Sequence, residues 1–231
     1  MMKAMILAAG LGKRMQPLTK HTPKPLLKVG DRYLIEFHLE KLAKVGIQDV
    51  VINTHWLAEQ IPAALGSGEK WGLTIHYSHE PELLETAGGI RQALQYLVDD
   101  DSDTFLLING DVYFEWDLAK WLTSVQSTIQ NKQACLALIP NPKHNLEGDF
   151  CFQDESKILS LKNASTDESF TYSGVGLYRG SFFSKLEPGY QAMKPLFDEA
   201  IDQQLIVGQV EHEYWLDVGT PQRLEELISR A

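Results

Sequence analysis

The chain has 231 residues, of which 44% are hydrophobic and 23% are charged, a balance typical of folded globular proteins. Its formal net charge of −10 argues against a general nucleic-acid surface, which would be basic. No apolar run approaches the roughly eighteen residues of a membrane span, and the N-terminus lacks the pattern of a signal peptide. Cys135 and Cys151 form no C-x-x-C pair, so we expect packed, reduced thiols and a cytoplasmic protein.

An apolar strand is predicted over residues 4–9, and it ends in a glycine-rich loop that carries cations. Gly10 and Gly12 let main-chain N–H groups approach a ligand closely, while Lys13 and Arg14 offset negative charge. The loop therefore predicts polyphosphate binding. It is not a Walker-A loop, because the second distant glycine and the Ser or Thr after the lysine are missing. It is not the dinucleotide fingerprint either, because position 15 is not glycine.

Lys24 lies between Pro23 and Pro25, which restrict its backbone and favour an aimed ammonium group over a solvated surface lysine. We expect Lys24 to act as a point charge toward phosphate, while Arg14 holds phosphate oxygens through two N–H groups.

Strands and helices alternate along the first 140 residues. Strands are predicted over 49–53, 73–77, 104–108 and 134–139, and helices over 56–65, over 88–97 and from Trp116. This alternation predicts a doubly wound α/β fold with a mostly parallel sheet. Ligands of such sheets bind at the carboxyl ends of the strands, so the Gly10 loop and Asp111 are expected at one edge.

The second half is richer in hairpins. Strands are predicted over 148–152 and 158–162 around a turn at 154–156, then over 170–178, 205–210 and 214–218, with a closing helix over 221–228. No linker or repeat interrupts the chain. We therefore expect a single domain over 1–231, with a nucleotide-binding half over 1–140 and a sugar-phosphate-binding half over 141–231.

Asp111 and Asp217 each end an apolar stretch, a position from which a carboxylate can hold Mg²⁺ together with substrate phosphates and water. For Asp217 a second interpretation is open, because Gly219 and Thr220 precede a predicted helix at Pro221 that an Asp could cap. Considered alone, the sequence around Asp217 favours a helix cap. Considered together with Asp111 and the glycine-rich loop, it favours a metal ligand.

The segment over residues 84–90, L-E-T-A-G-G-I, is a further candidate. Gly88 and Gly89 at the start of a helix offer N–H groups and close approach to a base or an anion. Glu85 either accepts hydrogen bonds from a base or ribose or caps the helix.

The ordered string L-A-A-G-x-G-x-R-M, followed by P-K-P-L, resembles the sugar-nucleotidyltransferase family, which joins a nucleoside triphosphate to a sugar 1-phosphate. The resemblance implies that Mg²⁺ is held by Asp111 and Asp217. It implies nucleotide contacts from Ala8, Ala9, Gly10, Leu11, Gly12, Lys13, Arg14, Lys24, Glu85, Gly88, Gly89, Asn109 and Gly110. It implies sugar-phosphate contacts from Asn109, Gly148, Asp149, Lys162, Asn163, Ser173 and Gly174. Lys162 lacks the Glu and Pro neighbours usual in the family, and Asp149 and Asn163 are equally compatible with turns.

Glu85, where many members carry Gly, and the segments over 53–56, 148–150 and 171–174 look like the N-acetylmuramate 1-phosphate uridylyltransferases of bacterial cell-wall recycling. The resemblance implies in-line attack of the sugar phosphate on the α-phosphorus of UTP, with pyrophosphate leaving and no protein base required. Arg14 and Mg²⁺ would hold the pyrophosphate, and Lys24 would counter repulsion between the two phosphates. The acidic net charge and the lack of a long apolar run predict no nucleic-acid or membrane partner, and we expect a monomer or small homo-oligomer.

Three alternatives stay open. The first is the same chemistry on another acceptor: glucose 1-phosphate with dTTP or UTP, mannose or heptose 1-phosphate with GTP, or phosphocholine with CTP. The second, a regulatory subunit that binds nucleotide sugars without turnover, is disfavoured because Arg14, Lys24, Asp111 and Asp217 are all retained. The third, a Rossmann-type oxidoreductase, is disfavoured by Met15 in the loop.

Overall fold

The computed structural model describes residues 1–153, 158–161 and 168–230, and for Leu161 it describes the backbone only. The strands are β1 (Lys3–Leu7), β2 (Lys28–Val29), β3 (Arg32–Tyr33), β4 (Asp49–Thr54), β5 (Thr74–His79), β6 (Thr104–Asn109), β7 (Val112–Phe114), β8 (Ala134–Pro140), β9 (Phe150–Phe152), β10 (Leu159–Leu161), β11 (Ser169–Arg179), β12 (Ile206–Val210) and β13 (Trp215–Asp217). The α-helices are α1 (Leu34–Lys44), α2 (Gln60–Leu65), α3 (Glu85–Leu97), α4 (Leu118–Gln126), α5 (Met193–Asp202) and α6 (Pro221–Arg230).

One large sheet organises the molecule, with strand order β10-β9-β11-β6-β1-β4-β5 and with β8 pairing both β11 and β12. Strands β6, β1, β4 and β5 are parallel neighbours, and β12 runs parallel to β8. Antiparallel pairing is concentrated around β11, which contacts β6, β8 and β9. The α/β class and the hairpin-rich second half predicted from the sequence are confirmed.

Both faces of the sheet are buried, which explains the uninterrupted apolar run of β1. Ala4 and Ile6 of this strand join a cluster packed with α1, α2 and α4. Met5, which points to the opposite face, joins a cluster packed with α3 and α5. Helices therefore cover the sheet on both sides, as in a doubly wound fold.

A separate two-stranded sheet joins two distant parts of the sequence. Strand β7, just after β6, pairs antiparallel with β13, so that Val112 lies opposite Asp217. The backbone N–H of Val218 donates to the carbonyl of Asp111 at 2.8 Å. This pairing brings the two predicted metal ligands to neighbouring positions.

Several local predictions need correction. The helix predicted from Trp56 begins only at Gln60, because Leu57 adopts a left-handed φ of 52° that is incompatible with helix. Helices α1 and α5 and strand β7 were not predicted. The turn expected at 154–156 lies outside the described residues. Among the described residues, no helix is both long and apolar enough to cross a bilayer.

Candidate active site

A cavity of about 260 Å³ opens at the carboxyl ends of β1, β4 and β6. Parallel strands end together at one sheet edge, so the loops that follow them meet there. The cavity is lined by Leu7, Ala8, Ala9, Gly10, Lys24, Pro25, Asn53, Glu80, Leu83, Glu85, Thr86, Asn109, Gly110 and Asp111. We call this the strand-end cavity.

A second cavity of about 250 Å³ follows the glycine-rich loop, and we call it the loop cavity. It is lined by Gly10, Gly12, Lys13, Arg14, Met15, Lys24, Asp111 and Gly219. Gly10, Lys24 and Asp111 line both cavities, so the two form adjoining parts of one cleft. Leu11, predicted as a nucleotide contact, lies between two lining residues but lines neither cavity.

The loop is held in shape by a local contact. Gly12 has a φ of 60°, and its carbonyl accepts a hydrogen bond from Thr19 Oγ1 at 2.7 Å. A Cβ on Gly12 would lie 2.9 Å from Thr19 Cγ2, so both backbone conformation and space require glycine. Beyond this turn, Lys13 and Arg14 are exposed on a short 3₁₀-helix (Lys13–Met15).

Lys24 and Asp111, predicted to serve different partners, form an ion pair. Lys24 Nζ lies 2.5 Å from Asp111 Oδ2, and only 12% of the lysine side chain is exposed. Lys24 begins a 3₁₀-helix (Lys24–Leu26), and its chain neighbours Pro23 and Pro25 are buried, which fixes the position from which its long side chain extends.

Asp217 is also paired with a cation. Arg223 Nη1 donates to Asp217 Oδ2 at 3.0 Å and lies 2.9 Å from His144 Nε2. The other carboxylate oxygen, Oδ1, is buried without a hydrogen-bond partner among the described residues. The capping interpretation of Asp217 is not needed, because Thr220 Oγ1 accepts from the Arg223 N–H at 3.4 Å in the first turn of α6.

His144 belongs to the same cluster. Its ring stacks on Trp215, with centroids 6.3 Å apart and planes inclined by 21°. Burial lowers the pKa of His144, and the positive charges of Arg223 and Arg14 lower it further. Gly219, two residues beyond Asp217, lines the loop cavity together with Arg14, so the Asp217 cluster borders the same cavity as Arg14.

The two carboxylates suit a hard divalent cation. Asp111 and Asp217 are brought together by the β7–β13 pairing, and the unsatisfied Asp217 Oδ1 is an oxygen donor without a proton donor. The described residues contain no group of three or more His, Cys, Asp and Glu side chains suited to a metal. Two carboxylates beside the glycine-rich loop fit Mg²⁺, which keeps water and substrate oxygens in its coordination shell.

A buried polar network supports the strand-end cavity, and the sequence analysis missed it. Asn53 Oδ1 accepts from the Ala8 N–H at 2.7 Å, and Asn53 Nδ2 donates to Glu80 Oε1 at 2.7 Å. The other Glu80 oxygen accepts from the Leu84 N–H at 3.2 Å. Glu80 is 1% exposed, so the network holds three loops together beneath the cavity floor. The only signal in the sequence was Asn53, a polar residue ending an apolar strand.

Glu85 and the two glycines after it are placed differently from one another. Glu85 is exposed at the cavity with a left-handed φ of 61°, a conformation that favours glycine. Gly88 and Gly89 are buried and line neither cavity, and their contact with nucleotide stays a prediction. The Gly88 N–H instead donates to the Gln191 carbonyl, and a Cβ on Gly89 would lie 2.5 Å from Glu80 Oε1.

Two residues predicted to contact the sugar phosphate lie inside the protein. Ser173 is fully buried, and its hydroxyl donates to the Ala137 carbonyl at 2.7 Å, so it has no atom available to a ligand. Gly174, also buried, has a φ of 81°, and a Cβ there would lie 2.7 Å from Asn109 Nδ2. Gly174 thus gives Asn109 the room to sit at the cavity edge.

The remaining predicted sugar-phosphate contacts stay predictions. Gly148 takes a φ of 66° beside Asn141, and neither it nor Asp149 lines the two cavities. The exposed Asp149 accepts from the Tyr172 N–H at 2.8 Å, which is the turn role considered for it. Lys162 and Asn163 lie outside the described residues.

The profile of the nucleotidyl transferase family matches this sequence over residues 3–230. The chain belongs to this family. It is 44% identical to an N-acetylmuramate alpha-1-phosphate uridylyltransferase of Neisseria meningitidis serogroup B, over 97% of this chain and 96% of that protein. It is 28% identical to a UTP–glucose-1-phosphate uridylyltransferase of a Synechocystis species, over 94% of this chain but 60% of that longer protein.

A solved structure supports the fold. A putative glucose-1-phosphate thymidylyltransferase from Bacillus anthracis superposes with a TM-score of 0.83, covering 100% of this chain and 95% of that chain at 24% identity. The protein is accordingly a nucleotidyltransferase with the fold of its family.

Proposed function

We propose that the protein transfers a uridylyl group from UTP to N-acetylmuramate 1-phosphate, giving UDP-N-acetylmuramate and pyrophosphate. The observation that carries this proposal is the 44% identity to the Neisseria uridylyltransferase, which extends over nearly the full length of both chains. The more distant Synechocystis relative is also a uridylyltransferase by name, which supports UTP as the donor.

The strand-end cavity suits the nucleoside of UTP. Its floor is formed by Ala8 and Ala9, its back by the buried Asn53–Glu80 network, and its rim by Glu85. The Glu85 carboxylate is the exposed acceptor that a base N–H or a ribose hydroxyl would meet there.

The loop cavity suits the triphosphate. Gly10 and Gly12 leave room for close approach, and Arg14 is exposed and able to bind two phosphate oxygens at once. In-line transfer between phosphates asks a protein for positioning and charge neutralisation more than for a base, because the attacking phosphate oxygen is already anionic. Lys24, between the two cavities, is placed to reduce repulsion between donor and acceptor phosphates.

Mg²⁺ fits Asp111 and Asp217 as the residues that would hold it, with the unpartnered Asp217 Oδ1 as the supporting observation. When bound, the ion would neutralise charge on the triphosphate and stabilise the leaving pyrophosphate. Asn109, at the end of β6 and backed by Gly174, is the residue we assign to the acceptor phosphate.

The assigned substrates imply a biological setting. UTP is an intracellular metabolite, so we infer a cytoplasmic enzyme, and a UDP-linked N-acetylmuramate is a building block that would return to peptidoglycan synthesis in cell-wall recycling. The single-domain arrangement, with 1–140 binding nucleotide and 141–231 binding the sugar phosphate, is part of the same proposal.

A pyrophosphate-release assay tests the assignment. UTP, dTTP, GTP and CTP are each combined with N-acetylmuramate 1-phosphate, N-acetylglucosamine 1-phosphate, glucose 1-phosphate, mannose 1-phosphate, heptose 1-phosphate and phosphocholine. We expect the highest kcat/KM for UTP with N-acetylmuramate 1-phosphate. N-acetylglucosamine 1-phosphate is the matched acceptor, since it lacks only the lactyl ether. No turnover with the preferred pair, or equal turnover with the matched acceptor, would contradict the proposed substrate.

A further inference from the structure

Both carboxylates assigned to the metal already hold a cation from the chain. Lys24 occupies Asp111 Oδ2, and Arg223 occupies Asp217 Oδ2. Each of the two ion pairs, Lys24–Asp111 and Arg223–Asp217, is therefore neutral without any ion. Adding a divalent cation to all four groups would leave an excess of two positive charges in a partly buried site, which is unfavourable.

Asp217 is closed to an incoming ion in its present arrangement. Its Oδ1 is buried, and its Oδ2 faces the Arg223 guanidinium at 3.0 Å. The Arg223 side chain is only 14% exposed, and the same Nη1 that donates to Asp217 Oδ2 also lies 2.9 Å from His144 Nε2. An ion that coordinates Asp217 through Oδ2 must therefore take the place of Arg223.

The Arg223–Asp217 pair packs directly against the backbone of Gly219. Gly219 lines the loop cavity, and a Cβ there would lie 2.6 Å from Arg223 Nη2 and 2.8 Å from Asp217 Oδ1. The guanidinium thus borders the cavity assigned to the triphosphate, through a residue without a side chain. Once released from Asp217, Arg223 would face phosphate oxygens, which are good partners for a planar guanidinium.

We propose that Arg223 is a built-in counter-ion that competes with the divalent cation for Asp217 and is released when the cation binds. This inference rests on the proposed metal-dependent function. Arg223 is then a positioning residue. Its charge offsets that of Asp217 and so reduces repulsion between Asp217 and Asp111, and it lowers the affinity of the site for the metal.

The test measures Mn²⁺ binding directly, by electron paramagnetic resonance titration of the purified full chain with Mn²⁺ alone. R223Q removes the competing charge, so we expect Mn²⁺ to bind about tenfold more tightly than to the wild type. R223K keeps a charge and should stay within about twofold of the wild type. R230Q is the matched control, because Arg230 lies on the same helix and also pairs with a carboxylate, Glu115.

Thermal unfolding supplies a second readout that does not depend on turnover. In metal-free buffer R223Q should have a lower Tm than R230Q, since Asp217 and Asp111 then repel each other. Mn²⁺ should raise the Tm of R223Q more than that of the wild type. A purely structural Arg223 would give the first effect without the second.

The outcomes separate this inference from the proposed function. Unchanged or weaker Mn²⁺ affinity in R223Q, with normal turnover of the wild type on UTP and N-acetylmuramate 1-phosphate, overturns the competition alone. If Mn²⁺ binding is the same in the wild type and in D217N, the metal assignment itself is wrong and the inference fails with it. If the wild type shows no turnover on UTP and N-acetylmuramate 1-phosphate, while R223Q binds Mn²⁺ more tightly than the wild type does, the proposed substrates are wrong and the competition is supported.

Discussion

The two cavities of the cleft are built by different means. The strand-end cavity rests on a buried network in which Asn53 and Glu80 satisfy one another and two backbone N–H groups. The loop cavity is lined by exposed cations, Lys13 and Arg14, and by the ion pair of Lys24 with Asp111. One side is shaped by hydrogen bonds that exclude water, and the other by charges that remain within reach of solvent.

We therefore expect the residues around the strand-end cavity to contribute mainly to stability and the residues around the loop cavity to contribute mainly to catalysis. A buried polar group is costly when its partner is lost, so changes beneath the strand-end cavity should unfold the protein. Cations and carboxylates at a solvent-accessible edge contribute little to folding, so changes there should alter catalysis and leave the fold intact.

The largest expected effect is on catalysis, from Asp111→Asn and Lys24→Ala. Each removes a charge assigned to the reacting phosphates, and we expect kcat/KM to fall by roughly 10³-fold or more. Pyrophosphate release measures the loss, and circular dichroism should show an unchanged fold. Near-normal activity in either variant would reject the assigned role.

Glu80→Ala tests the other side. It leaves the Asn53 amide and the Leu84 N–H without partners in a buried site, and we expect a loss of about 2–4 kcal/mol in the free energy of unfolding. Urea denaturation measures it. Glu82→Ala is the matched control, because Glu82 is an exposed glutamate in the same loop and should change stability by less than about 0.5 kcal/mol. Equal effects in the two variants would mean that the network does not support the fold.

We expect the stability of the protein to depend on pH through His38. It lies on α1, stacks on Phe114 of β7, and burial lowers its pKa to about 4. An unfolded histidine binds its proton near pH 6.5, so between about 6.5 and 4 the unfolded chain holds more protons than the folded one. Stability is therefore fully retained above that window and falls within it by up to about 3 kcal/mol as the pH decreases.

Urea denaturation across that pH range, compared between the wild type and His38→Leu, measures the His38 contribution. The variant should lose less stability on acidification than the wild type. His79→Asn is the control, since His79 is exposed and should leave the profile unchanged. Parallel profiles for the wild type and His38→Leu would show that His38 does not cause the acid sensitivity.

The smallest effects come from a pair of glycine substitutions. Gly89→Ala places a Cβ 2.5 Å from Glu80 Oε1 and should cost about 2 kcal/mol of stability. Gly10→Ala meets no atom within 4 Å and should leave stability within about 0.5 kcal/mol, while raising the KM for the nucleotide. Thermal unfolding and steady-state kinetics distinguish the two. If Gly10→Ala destabilises the protein as much as Gly89→Ala does, the expected difference between the two cavities is wrong.

The sequence predicted the fold class and most strands because both are written in local patterns. Apolar runs such as β1 and β6 are buried on both faces, so hydrophobicity alone locates them. Leu57 shows the limit of such patterns: its neighbours have helical spacing, but a positive φ delays the helix to Gln60. A leucine in the sequence gives no signal that its backbone φ will be positive.

The candidate site was predictable where residues follow a strand and not where they meet through tertiary contacts. The loop from Gly10 to Arg14 and the two aspartates were named from the sequence. Most of the loop and Asp111 line the cleft, and the β7–β13 pairing brings Asp217 next to it, although Asp217 lines neither cavity. Glu80 was missed because its role depends on Asn53, which is 27 residues away in the chain. The burial of Ser173 was not predictable, because a motif does not reveal which way a hydroxyl points.

The pairing of β7 with β13 also orders events during synthesis. Most of the parallel strands are available once the ribosome has passed residue 109, yet the partner of Asp111 emerges only about a hundred residues later. A nascent chain therefore contains β1, β4, β5 and β6 well before it contains both aspartates of the candidate cation site.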